Sequence, residues 1–255
     1  MIDCKKWRSL QDDITTSSLW ISSFVTKSKP LFLIPRRDWG FKNSREFHGI
    51  FIPEIPYQFI RRFCPENGVI WDCFGGSGTT YYTNEFIKKT LNETYELYIN
   101  DLTPKCDFIS QGDSRTYKIP KKADLVFVHP PYKNIIKYSD KAEDGSNHTS
   151  LEDYLKWGEE IATNIIPQVN SNGVIIIVCG NYYENGEEVD LGVYFKDVFV
   201  RVGEGKVKCK SHIIKDYGET KGSDGKDFNL NYFRQLKNGF NNFYGDNIFI
   251  LRKSK

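Results

Sequence analysis

"VIWDCFGGSGTT", residues 69–80, runs from a short apolar strand through an acid into a glycine-rich turn and on into a helix. In an open α/β sheet, ligands sit at the carboxyl ends of the strands. Glycines at such an end let the backbone come close to a ligand. Asp72 closes the strand, and Gly75, Gly76 and Gly78 make the turn. The stretch therefore predicts both an α/β architecture and the place where it binds something.

The same alternation continues on both sides. "PEIPYQFIRRF" (53–63) has apolar residues at helical spacing, with prolines near its start. "TTYYTNEFIKKT" (79–90) reads as a helix, "YELYIN" (95–100) as a strand ending at Asp101, and "KCDFIS" (105–110) as a short strand before "QGD". "ADLVFV" (123–128) is a strand that must stop at His129-Pro130-Pro131-Tyr132, because neither proline has an N–H for the ladder. "SLEDYLKWGEEIATNIIP" (150–167) is a helix with Ser150 as N-cap, Asp153 in an acidic capping box and Pro167 at its end. "GVIIIVCG" (173–180) is a fully apolar strand. Strands alternating with helices predict a doubly wound, mostly parallel sheet. Beyond 180, "VYFKDVFV" (193–200) looks β-like, and "FNLNYF" and "DNIFILRK" predict closing strands paired at the sheet edge.

With 255 residues and 39% hydrophobic content, the chain has enough material for one large domain with a small insert. No apolar run approaches the roughly 18 residues of a membrane span, and the charged start lacks a secretion signal. The six cysteines form no C-x-x-C and do not cluster with the four histidines, so no metal site is expected. Cysteines scattered in apolar runs suit a reducing, cytoplasmic setting. The net charge of +2 hides a pattern: 11 basic against 7 acidic residues in 1–70, 12 against 20 in 71–200, and 12 against 6 in 201–255. Basic ends that meet on one face suit a polyanion such as nucleic acid.

The chemistry of the first turn is narrowed by what it lacks. A phosphate-binding loop needs Lys after its last glycine, where Thr79 stands. A dinucleotide turn needs a glycine where Tyr81 stands. A turn around an adenosyl amino acid needs neither, and Asp72 suits a ligand ammonium. Asp101 is placed for both hydroxyls of a ribose, and Asp113, in "SQGDS", for an adenine amino group. The HPPY loop offers a rigid carbonyl acceptor, a histidine and a flat aromatic face. Such a loop grips an amino-bearing ring, and alignment supplies most of the catalysis for a poor amine nucleophile.

These motifs resemble the amino-methylating DNA methyltransferases, which use S-adenosylmethionine. "DCFGGSGTT" is similar to their cofactor motif D-x-F-x-G-S-G-T-T, and "HPPY" to their catalytic (D/N/S)-P-P-(Y/F/W). "FHGIFIPEIPYQFIRRF" (47–63) resembles the segment closing over the methionine end of the cofactor. The resemblance is closest to a subgroup with HPPY followed by "IIKYS". It implies a seven-stranded Rossmann-like methyltransferase sheet with a small recognition insert. It also implies that Ile52, Pro53, Asp72, Phe74, Gly75, Ser77, Gly78, Thr79, Asp101, Asp113 and Ser114 hold the cofactor. His129, Pro130, Pro131 and Tyr132 would hold the target base, which is flipped out of the duplex. The expected division is an arm (1–45) carrying Trp7, Trp20 and Trp39, a catalytic core (46–180), a target-recognition region (181–227) with Lys206, Lys208, Lys210 and His212, and closing strands (228–255). Lys133, Lys137 and Lys141 are expected over the flipped base or the phosphates. The implied partner is DNA, with a cognate restriction endonuclease as a second candidate, for a monomer or homodimer. Adenine N6 is the favoured target; cytosine N4 and an RNA base amine are the alternatives. His129 stands where the motif usually has Asp, Asn or Ser. Neutral imidazole still accepts a hydrogen bond through one nitrogen.

Overall fold

In the computed structural model, residues 19–20, 52–216 and 245–255 are described, with the isolated positions 237 and 239. Elements in chain order are β1 (Leu19–Trp20), α1 (Glu54–Phe63), β2 (Val69–Asp72), α2 (Thr79–Leu91), β3 (Glu96–Asp101) and β4 (Ser110–Gln111). They continue as β5 (Ala123–Val128), α3 (Leu151–Ile165), β6 (Val169–Cys179), β7 (Tyr182–Glu184), β8 (Glu187–Val189), α4 (Leu191–Val202), β9 (Val207–Asp216) and β10 (Gly245–Lys253). The expected arm apart from Leu19–Trp20, residues 47–51 of the segment before the first turn, and "FNLNYF" lie outside the described residues.

The main sheet has the order β1-β9-β10-β6-β5-β2-β3-β4. The β2–β3, β2–β5, β3–β4, β5–β6 and β1–β9 pairs are parallel. Within this sheet, β10 alone runs against its neighbours, β6 and β9. This is the doubly wound, mostly parallel seven-stranded sheet, with two-residue β1 added at one edge. Its faces follow the strand period of two. Ile70, Leu125, Phe127, Ile176 and Ile248 pack under α1 and α2, through Ile55, Phe59 and Ile87. Trp71, Val126, Val128, Ile175 and Ile177 pack under α3 and α4, through Tyr154, Ile161, Phe195 and Phe199.

Three expectations change. "VYFKDVFV" is helical, inside α4, not β-like. Its β-branched and aromatic residues favour strands, but Leu191, Phe195, Val198 and Phe199 are buried at helical spacing against α3. The core does not end at 180, because α4 and β9 cover one face and extend the sheet. "DNIFILRK" forms β10, which is not at the edge but between β6 and β9. Its apolar run fits that place, with Ile248, Phe249, Ile250 and Leu251 all buried.

The topology fixes where a ligand can sit. From β2 the chain moves one way to β3 and β4, then returns to place β5 on the other side of β2. The crevice at such a reversal lies beyond the carboxyl ends of β2 and β5. Asp72 ends β2, and HPPY follows β5. Two motifs 57 residues apart therefore become neighbours, with Cys73 N–H bonded to the Phe127 carbonyl at 3.2 Å.

Candidate active site

A single cavity at this crevice is lined by Asp72, Phe74, Gly75, Ser77, Thr79, Asp101, Asp113, Ser114, His129, Pro130, Pro131 and Tyr132. Ile52, Pro53 and Gly78 are not on its wall. Ile52 and Pro53 immediately precede α1, with Pro53 as its N-cap, and Thr83 Oγ1 reaches the Pro53 carbonyl at 3.5 Å. Gly78 is the N-cap of α2 with φ 86°, a left-handed conformation that costs glycine little. A Cβ there would lie 2.6 Å from the Phe108 ring, so Gly78 shapes the turn from behind.

Asp72 is buried. Its Oδ1 accepts the Phe74 N–H at 3.1 Å, and its Oδ2 the Thr80 hydroxyl at 2.5 Å. Burial pushes its pKa up to about 6, against the pull of those two hydrogen bonds and with a further push from Asp101. Asp101 steadies the same turn: Oδ2 accepts Gly76 N–H at 2.8 Å and Oδ1 accepts Thr103 N–H at 2.9 Å. A carboxylate has about four acceptor sites, so Asp101 keeps capacity for a pair of hydroxyls. Asp113 differs from expectation. Its carboxylate faces Arg115, whose Nε lies 3.1 and 3.0 Å from its two oxygens and whose NH2 lies 2.6 Å from Oδ2. Arg115 N–H adds a bond at 2.9 Å. Three N–H groups of Arg115 thus occupy most of the acceptor sites of Asp113, whose carboxylate still reaches the cavity wall.

Behind the acids, buried Asn100 links three elements. It accepts from Trp71 Nε1 at 2.7 Å and donates to the Gly112 carbonyl at 3.1 Å and to Ser114 Oγ at 3.0 Å. Ser114 Oγ in turn donates to the Cys73 carbonyl. Ser77 Oγ is a buried polar atom on the cavity wall with no hydrogen-bond partner among the described residues. A buried hydroxyl left unpaired costs on the order of 1–3 kcal/mol, and a polar ligand in the cavity would relieve that cost.

The HPPY loop is held from below. Tyr154, on α3, donates its hydroxyl to the Pro131 carbonyl at 2.6 Å. One turn on, Trp157 lines the cavity and donates Nε1 to the Glu143 carbonyl at 3.0 Å. The Pro130 carbonyl accepts no hydrogen bond among the described residues. His129 Nε2 lies 3.1 Å from Tyr132 Oη, which also lies 3.1 Å from Asp246 Oδ1. Burial pushes the His129 pKa down to about 4, against an upward pull from Asp246, so the ring is neutral at pH 7.

Of the three loop lysines, Lys133 is not available to phosphate. Lys133 is fully buried, pairs with Glu184 of the β7–β8 hairpin, and sits 5.3 Å from the Tyr182 ring centre. Lys137 pairs with Asp140 at 2.5 Å, and Lys141 donates to the Leu102 carbonyl at 2.7 Å. Lys133 and Lys141 thus tie the loop to the β7–β8 hairpin and to the turn after β3, while the Lys137–Asp140 pair lies on the surface. Lys206, Lys208 and Lys210 are exposed in and beside β9, while His212 stacks on Phe249 at 4.4 Å. The cavity also takes Leu102, Thr103, Tyr138 and Trp157. For Trp157 the available signal was its spacing three residues from Tyr154 on one face of the helix already predicted from its caps. Nothing local marks Asp246.

No protein-family model and no curated protein matches the sequence. Among solved structures it is similar to TrmN from Thermus thermophilus, at 13% identity over 79% of this chain and 48% of that one, with a TM-score of 0.48. Trm5b from Pyrococcus abyssi matches at 14% identity over 79% and 49%, with a TM-score of 0.43. A methyltransferase from Pyrococcus furiosus matches at 11% identity over 99% of both chains, with a TM-score of 0.49. The chain spans about half the length of the first two. With each score below 0.5, neither substrate nor activity is read from these likenesses.

Proposed function

We propose that the chain is an S-adenosylmethionine-dependent DNA methyltransferase that methylates the exocyclic amino group of a flipped base, adenine N6 in the favoured case. The observation that carries this reading is the shared cavity. Strand-end acids and an HPPY loop meet at one topological switch point, and the loop's histidine is neutral. The donor set fits the cofactor. Asp101 has acceptor capacity suited to a ribose, Asp72 supplies a negative charge near an ammonium, and the orphaned Ser77 Oγ awaits a polar partner. When bound, S-adenosylmethionine supplies an electrophilic methyl group on a sulfonium.

The residues of the chain supply the rest. Tyr132 offers a face to the target ring. His129 and the Pro130 carbonyl each accept one N–H of the amine, which draws its lone pair out of the ring and aims it at the methyl group. With the cofactor bound, the S–C bond would break as the N–C bond forms, and His129, the Pro130 carbonyl and Tyr132 would hold the accepting amine in line for it. The proton the nitrogen sheds would pass to the His129 ring nitrogen that accepts its N–H and from there to solvent. Burial keeps His129 unprotonated, so it does not meet the amine with a second N–H.

Calorimetric titration with S-adenosylhomocysteine, run beside a methyl-transfer assay, tests this division of labour. Asp101→Ala should weaken binding roughly 10- to 100-fold. Tyr132→Ala should bind normally yet lose at least roughly 100-fold in transfer. Full transfer by Tyr132→Ala would overturn the assignment.

A further inference from the structure

Just beyond HPPY, Ile135 and Ile136 open the stretch "IIKYS". Ile135 is 51% exposed and Ile136 36%, and both also line the cavity. Single exposed apolar side chains are ordinary, but two neighbours on the rim of a site are not. The backbone holds them there. Tyr132 (φ −82°, ψ 72°) makes an inverse γ-turn, closed by the Lys133 N–H on the Pro131 carbonyl at 2.9 Å. Lys133 then takes a left-handed φ of 52°, a conformation that is costly for a residue with a Cβ. Its buried ammonium, paired with Glu184, anchors the turn from inside. The Ile135 N–H reaches the Tyr132 carbonyl at 3.3 Å. The chain thus dips inward at Lys133 and returns to the surface with two isoleucines beside Tyr132.

We propose that Ile135 and Ile136 form an apolar wedge: as the target base leaves duplex DNA for the cavity, these side chains enter the gap it leaves in the stack and hold the base out. This rests on reading the cavity as the site of a flipped base. On that reading the rim beside Tyr132 faces the base pairs from which the target came, so the stack itself is what covers these isoleucines.

The chemistry of the two residues suits the task. A flipped base leaves a slot with bare base faces above and below. An aliphatic side chain inserted there covers those faces and removes its own surface from water in the same step. A polar side chain would give up its hydration for faces that offer it no hydrogen bond. Isoleucine is branched at Cβ and stiff at χ1, so it has little rotamer freedom to lose on insertion. The buried Lys133–Glu184 pair and the Tyr154 bond to the Pro131 carbonyl brace the turn from behind. A wedge acts on the opening of the base pair and not on the transfer itself. Its effect is therefore large for a well-paired target and small for a base that is already loose.

Methylation of plasmid DNA by the wild-type protein first maps a site. Oligonucleotide duplexes carrying that site are then made with the target base paired, mismatched, or replaced by 2-aminopurine. In the double variant Ile135→Ala/Ile136→Ala, kcat/KM on the paired duplex should fall at least about 10-fold. On the mismatched duplex the loss should shrink to about 3-fold or less. S-adenosylhomocysteine affinity, read by calorimetry, should be unchanged. The rise in 2-aminopurine fluorescence that marks an unstacked target should accompany binding of the wild type and be largely lost in the variant. Ile135→Leu/Ile136→Leu keeps the apolar volume and should recover most of both losses. Equal losses on paired and mismatched duplexes, or an undiminished fluorescence rise in the alanine variant, would overturn the wedge. Weakened S-adenosylhomocysteine binding would make the isoleucines part of the cofactor's cover and would overturn it too. A wild type that labels no DNA would overturn the functional reading and the wedge with it, whereas the other adverse results, in a wild type active on DNA, overturn the wedge alone.

Discussion

Asp72 and His129 line one cavity, and burial works against charge on both. The linkage signs are opposite. Asp72 is raised from 3.8 to about 6, so between those values the folded state holds a proton that the unfolded state has released. Its contribution to stability is present below 3.8 and lost as pH rises toward 6. His129 is lowered from 6.5 to about 4, so its contribution is present above 6.5 and lost as pH falls toward 4. Asp72→Asn should therefore stabilise the protein by on the order of 2 kcal/mol at pH 7 and by little at pH 4, with weakened cofactor binding. Chemical denaturation at the two pH values measures the first part, and an equal effect at both would contradict it. His129→Gln should flatten the loss of stability between pH 6.5 and 4. At this scale the sequence showed the residues whose type and neighbours are local: the strand-end acids, the glycines and HPPY. Asn100, Arg115 and Asp246 were not legible, because their roles exist only once distant strands are brought side by side.

Among elements, the β7–β8 hairpin clamps the HPPY loop through the Glu184–Lys133 pair. Burial lowers the pKa of Lys133, but its bonds to Glu184 and Tyr182 outweigh that and hold it above the usual lysine range. Glu184→Ala leaves a buried ammonium without its counter-charge and should destabilise the fold by on the order of 1–3 kcal/mol. It should also slow transfer, although Glu184 is not on the cavity wall. A stable, fully active Glu184→Ala would show the clamp to be idle. Helix α4 closes the other side of the core. Phe195→Ala should cost about 3–5 kcal/mol, readable as a lower denaturation midpoint. The helices with caps or prolines were legible, with Ser150 accepting the Asp153 N–H at 3.0 Å as its spacing implied. Helix α4 was not, because its residues favour strands and only its packing on α3 decides otherwise. The place of β10 was hidden for a related reason. An apolar strand declares that it is buried, not which neighbours bury it.

Over the whole molecule, the fold follows from a few reversals of direction, and the reversal at β2 assembles the cavity. Among the described residues, no helix is long and apolar enough to cross a membrane. The clustering of charge along the chain was legible, but its arrangement on the surface is not a property of sequence order. Lys133 and Lys141 beside the HPPY loop are used internally, while Lys206, Lys208 and Lys210 remain exposed on the sheet-edge side. Affinity for duplex DNA should therefore fall steeply with salt. Replacing those three lysines with Ala should make the slope of log affinity against log salt shallower by about 1 for each phosphate they neutralise. A slope unchanged in the triple variant would remove them from the interface. Methylation of a base amine in DNA is the claim on which the rest depends. Tritiated methyl transfer from S-adenosylmethionine to mixed DNA and RNA, followed by nucleoside mass analysis, reads out polymer and position together. The expected label lies in DNA on an exocyclic nitrogen, as N6-methyladenine. Label only in RNA, on a ring carbon such as cytosine C5, or on no nucleoside at all would refute it.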